Sequence, residues 1–313
     1  MEKTHHLFQQ NSTFAILRTG ALGWGLWLAL SLWLTSEPIN WILALLLLAP
    51  LVWIPLALQA QHQDYHPAWQ QLAAFSLAGS FLLPQGVLAA ALAIPWLIWL
   101  TNQTFIAIQT WQNQRDLRTW LSPGAWVAGV VAATWAFADR LGWQILGFPP
   151  VMGLLTAAHF HYAGILLLMI SRWLIVHQKP VVGKCLTLLL LAGITLTAAG
   201  ITSTHLGGPI WLETAAATVM ATGGMAIALG HLRLATQNDT PRISRGLFAI
   251  GGLCLLGGMA LGLLYGWHRY LQLPWLTIPW MYRVHGTLNA LTLGAMLLPG
   301  WWVFHRRDRG YAG

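Results

Sequence analysis

The residues of this chain that could do chemistry inside an otherwise apolar sequence are mostly histidines. His159 and His161 interrupt "LLTAAHFHYAGILLLMI", residues 154–170, and His285 opens "HGTLNALTLGAM", residues 285–296. Neutral imidazole ligates transition metals and haem iron, relays protons and accepts or donates one hydrogen bond at each ring nitrogen. On an α-helix, two residues separated by one lie about 200° apart, so His159 and His161 are expected on nearly opposite sides of their helix, like a wall between two pockets. Tyr162 shares the His159 face at i+3, and Ala157, Ala158, Ala163 and Gly164 leave room for close approach of a helix or a cofactor. His285, Asn289, Thr292 and Met296 follow the spacing i, i+4, i+7, i+11 and draw one polar stripe down a helix face. A third group, "TSTHLGGPIWLE" at 202–213, places His205 and Glu213 around two glycines and a proline.

These groups need elements to hold them, and the composition says which kind. Of 313 residues 57% are hydrophobic and 8% charged, against roughly 25% charged in soluble domains. Apolar segments recur from Phe14 to Phe304 with no polar stretch long enough for a separate soluble domain, so residues 1–313 read as one integral-membrane domain. A span of ~30 Å takes about 20 apolar residues, and runs of that length exclude barrel strands. The expected fold is an all-α polytopic transmembrane bundle. Its spans are 14–34, 39–60, 68–83, 86–110, 124–139, 149–172, 184–204, 210–231, 243–266 and 284–304. They number ten, or nine if "FLLPQGVLA" at 81–89 does not turn tightly at Pro84 and Gly86.

The net charge of +8 is spread over short connectors rather than one face, which excludes a nucleic-acid surface in favour of a topological signal. With both termini inside, the inner segments hold Lys3, Arg115, Arg118, Arg172, Lys179, Lys184, Arg233, Arg242, Arg245, Arg306, Arg307 and Arg309. The outer connectors hold Arg140, Arg269 and Arg283, and Arg18 snorkels from the inner end of the first span, which reads as uncleaved. A bacterial inner membrane with both termini cytoplasmic follows as the expected location, with the lipid bilayer as the partner. Trp41, Trp111, Trp120, Trp173, Trp211, Trp267, Trp301 and Trp302 fall near span ends and are expected to anchor in interfacial belts. Cys185 and Cys254 lie in or beside apolar segments, as packing residues rather than a disulfide pair. The Asp139 and Arg140 pair is expected as a solvated helix end, and His177, His231 and His305 as solvated or interfacial.

A histidine at bilayer depth is costly and marks a functional site unless it only joins helices. On the spans above, His159 and His161 lie near the midplane, and all three polar groups belong to the outer half of the membrane. "LTAAHFHYAG" with its preceding "LGF", together with "HGTLNALTLGAM", resembles the YndJ family of bacterial multi-span membrane proteins, in a layout that covers most of the chain. That resemblance implies a membrane location and a transporter-like activity. Over about six residues "AHFHY" is also similar to the helix of haem-copper oxidases whose two histidines ligate two haems on opposite sides. What this implies is a high-spin haem ligand at His159, a low-spin one at His161 and its partner at His285, with Tyr162 and Asn289 beside them. The His-Pro-Glu-Val-Tyr segment and the copper-site His-His pair are absent from the spans, so oxygen reduction with proton pumping is not implied.

Two classes of function therefore stand open. One is a haem- or transition-metal-binding membrane protein, redox or gas-handling, with His159, His161 and His285 as ligands. The other is a permease in which His159, His161, Asn289 and Thr292 line a polar path. An assembly subunit with structural histidines is the third reading, and no catalytic residue is assigned.

Overall fold

A computed structural model describes residues 21–32, 38–61, 68–114 and 116–310; the expected start of the first span lies outside them. The described residues form helices and contain no strand. Eight helices are long and apolar enough to cross a membrane: α2 (Asn40–Gln61), α4 (Val87–Gln114), α5 (Leu117–Leu141), α6 (Pro150–Val176), α7 (Pro180–His205), α8 (Ile210–Ala235), α9 (Arg242–Trp267) and α10 (Ile278–Arg306). Two shorter ones, α1 (Ala21–Leu32) and α3 (Ala68–Ser80), complete the ten expected elements in the expected order. The all-α membrane bundle is thus the observed class. It is organised as two compact units.

Unit 1 comprises residues 1–101 and 130–161. Its helices are not regular throughout. Ala49–Trp53 within α2 winds as a π-helix, and the buried Gln70 of α3 donates its Nε2 to the Pro50 carbonyl there, at 2.8 Å. Pro95 lies inside α4, where it removes an amide donor; Ser76 Oγ donates to the Leu92 carbonyl at 2.6 Å, one turn before the proline. The tight turn between α3 and α4 exists as expected. Residues 81–86 make it, and Gly86 sits at φ +152°, where a side chain would be strained.

That turn is fastened by a pair expected to be solvated. Asp139 and Arg140 are buried instead, and they form an ion pair of 2.6 Å. The guanidinium lies 4.3 Å from the Phe81 ring centroid, and the Arg140 carbonyl accepts the Gly86 amide at 2.8 Å. Proximity to the end of a span suggested water, but the α3–α4 turn folds over the pair and supplies its partners.

Unit 2 comprises residues 102–129 and 162–313. Asp116 caps the first turn of α5 by accepting from the Arg118 amide at 3.0 Å and pairs with the Arg118 side chain at 2.7 Å. The α7–α8 connector holds Gly207 at φ +86° and closes with the Gly208 amide on the Ser203 carbonyl at 2.7 Å. His205 is exposed at the end of α7, and Glu213 lies in the first turn of α8, where a carboxylate favours the positive end of the helix dipole. The last span carries π segments at Tyr282–Gly286 and Thr292–Leu297. Of the expected belt residues, Trp41, Trp120, Trp211 and Trp267 are exposed, whereas Trp173 and Trp301 are buried and pack in unit 2.

Candidate functional site

The α6 helix is an ordinary α-helix up to His159, in unit 1, and a π-helix from Phe160 to Leu166, a segment that passes into unit 2 at Tyr162. The change falls between the two histidines, where the winding departs from the regular helix that sets such residues about 200° apart. The π turn bonds i to i+5 and is frequent at functional sites. His159 is exposed, with its ring edge-on to Phe160 at 6.2 Å. His161 is fully buried.

Both ring nitrogens of His161 are used. The Ala157 carbonyl takes the Phe160 amide, one residue early, and it also lies 2.8 Å from His161 Nδ1. A carbonyl can only accept, so Nδ1 carries the hydrogen. Nε2 therefore bears a lone pair, and it accepts the indole N–H of Trp96 at 3.0 Å. The rings of Trp96, Trp99 and His161 stack in series, at 5.0 Å and 5.9 Å between neighbouring centroids. An iron at His161 Nε2 would have to displace the Trp96 N–H. Tyr162, the first residue of unit 2, is buried.

In unit 2, three residues of the expected α10 stripe, His285, Asn289 and Met296, meet α9. The Gly258 carbonyl accepts His285 Nδ1–H at 2.8 Å, and Asn289 Nδ2 donates to His285 Nε2 at 3.2 Å. A Cβ on Gly258 would collide with Asn289 Oδ1, and one on Gly262 would lie 3.2 Å from His285 Cε1. Met296 meets α9 in the same way at Gly251, and Thr292 is buried. Asn289 is buried too, and its Oδ1 has no hydrogen-bond partner among the described residues. Small residues on α9 are what let these polar groups sit in a helix seam.

The sequence reading missed His231. It is fully buried on α8, where Nδ1 bonds the Ile227 carbonyl at 2.9 Å and Nε2 accepts the indole N–H of Trp301, also fully buried, at 2.9 Å. This repeats in unit 2 the arrangement of His161 and Trp96 in unit 1. His231 ends the expected span 210–231 and so looked interfacial, and the Trp301–Trp302 pair looked like an anchor. The available signal was the small-residue run "GGMAIALGH" before it, a counterpart of "LTAAHFH". Trp301 also stacks with His177 at 5.7 Å and with His305 at 5.4 Å.

A family model described as YndJ-like protein matches residues 44–293, a range that holds His159, His161, His285 and Asn289. Over 211 residues the chain is 26% identical to the uncharacterized membrane protein YndJ of Bacillus subtilis (strain 168). The match covers 66% of the chain and 37% of that protein, so the chain spans little over a third of its length. No solved structure matches.

Proposed function

Starting from a chain that belongs to the YndJ-like family of membrane proteins, we propose that it is a permease-type protein binding a small polar solute between α9 and α10 of unit 2. The observation that carries this reading is Asn289. A buried amide oxygen without a donor costs about 1–3 kcal/mol, and a hydroxyl or amine of a solute, or a water travelling with it, removes that cost. Gly258 supports the reading because its missing side chain is what lets the Asn289 amide sit in the seam. His285 alongside has its Nδ1–H held by a backbone carbonyl and its Nε2 by the Asn289 amide nitrogen, which orients the amide so that its oxygen is the acceptor left for a passing solute. In this reading both termini face the cytoplasm of a bacterial cell, and the site opens toward the outer half of the inner membrane.

The test is aqueous access. In a Cys185→Ser, Cys254→Ser background, Asn289→Cys and Thr292→Cys should react with a membrane-impermeant thiol reagent in intact vesicles, and Gly258→Ala should slow that reaction. Thr292→Cys is close to isosteric and guards against a folding defect. No labelling at either position, with full labelling after denaturation, removes the polar path. A Soret band or stoichiometric iron or copper in the purified protein would instead favour the cofactor reading of His159, His161 and His285.

A further inference from the structure

A cleft of about 70 Å³ opens in unit 1 at the C-terminal end of α5, where Gln85, Trp135, Asp139, Trp143, Gln144 and Phe148 line it. That is room for a small polar group rather than a large solute. Its chemistry is set by one carboxylate. The Asp139 side chain is 3% exposed, and Arg140 donates both Nε, at 2.9 Å, and an Nη, at 2.6 Å, to the same oxygen, Oδ2. The other oxygen receives Gln85 Nε2 at 3.4 Å, close to the limit of a hydrogen bond. A buried carboxylate oxygen so weakly partnered favours a further, charge-assisted donor.

The sign of the ligand follows from which partner faces the cleft. Arg140 is not part of the wall, because its guanidinium lies over Phe81. The wall therefore shows the carboxylate edge and not the guanidinium, and an acceptor edge of this kind takes a donor rather than an anion. Three aromatic rings complete it; Trp135 and Phe148 meet edge to face at 5.8 Å. Aromatic rings and a carboxylate together are the surroundings that hold an alkylammonium group. The amides of Gln85 and Gln144 supply further acceptors.

We propose that the cleft beside Asp139 is a binding site for a primary ammonium group, carried by a small free amine or by an aminoethyl lipid headgroup. It is separate from the α9–α10 seam and does not depend on the permease reading.

The test is calorimetric titration of the purified full-length protein with ethylammonium, using ethanol and acetate as neutral and anionic comparators of the same size. A parallel arm reconstitutes the protein with phosphatidylethanolamine and phosphatidylglycerol and measures which lipid is retained. Ethylammonium binding without acetate binding identifies a free amine, and selective retention of phosphatidylethanolamine without it identifies the headgroup. Asp139→Asn should weaken whichever ligand binds at least about tenfold. Because that variant leaves Arg140 without its counter-ion, Trp143→Ala and Gln144→Ala, on the exposed connector, serve as variants that keep the ion pair. Each should weaken binding several-fold at an unchanged melting temperature. Ethylammonium binding no better than ethanol with no lipid preference, or wild-type binding in both connector variants, overturns the site.

Discussion

Replacing Trp96 by Phe removes one N–H and keeps most of the ring. It leaves His161 Nε2 buried without a donor, and the expected cost is about 1–3 kcal/mol in equilibrium unfolding. Trp301→Phe should do the same to His231 in unit 2. In each pair the second substitution, His161→Leu or His231→Leu, should recover part of that loss, because removing both partners is cheaper than stranding one. A double-mutant cycle measures this, and additive costs would show that the hydrogen bond carries none of the stability. The bonding also fixes the tautomer, so 15N spectra of the two histidines should show hydrogen on Nδ1 and a lone pair on Nε2.

Between α9 and α10 the deciding residue is Gly258, where a methyl meets Asn289 Oδ1. Gly258→Ala should displace Asn289 from the seam and lower stability by about 1–3 kcal/mol, the cost of strain in a packed interface. Gly257→Ala is the control, since a Cβ there has only ordinary van der Waals contact, 4.0 Å from Leu288. At the start of α5, the hydrogen bond from the Arg118 side chain holds the Asp116 carboxyl below its ordinary range. A carboxylate whose pKa is lowered by folding adds stability above its unfolded value, near 3.8, and loses it as pH falls through the lowered folded value. Melting temperature should therefore fall less steeply with acidification below that point in Asp116→Asn than in the parent. Since the pair is partly exposed, the difference will be small.

At the scale of the molecule, three helices long and apolar enough to cross a membrane, α8, α9 and α10, follow the 206–209 connector. Reporter fusions at the C-terminus and within the 206–209 connector should report opposite compartments, because α8, α9 and α10 lie between them; the same compartment for both would break that run of three spans. The helices were legible because burial in lipid demands about 20 apolar residues, and that demand is written locally. The α3–α4 turn was legible from Pro84 and Gly86 for the same reason. The π segments were not, since whether a turn closes on i+4 or i+5 depends on packing that no local pattern encodes, and Phe160–Leu166 falls across the very spacing used to orient His159 and His161. The α10 stripe was read correctly as one face, but not as a seam, because its partner is a row of glycines whose message is the absence of side chains. His231 and Asp139 were misread for a common reason: distance along the chain from a span end stood in for exposure, and neighbours far away in sequence cover both. The clasp of Arg140 on the 81–86 turn has a consequence for biogenesis. At about 20 Å, α3 falls short of a full crossing, and the residue that secures its turn emerges from the ribosome more than fifty positions later. Nascent chains arrested before Arg140 should leave α3 accessible to aqueous reagents, and chains arrested after α5 has emerged should not, so this hairpin enters the bilayer as a late, cooperative event rather than in order of synthesis.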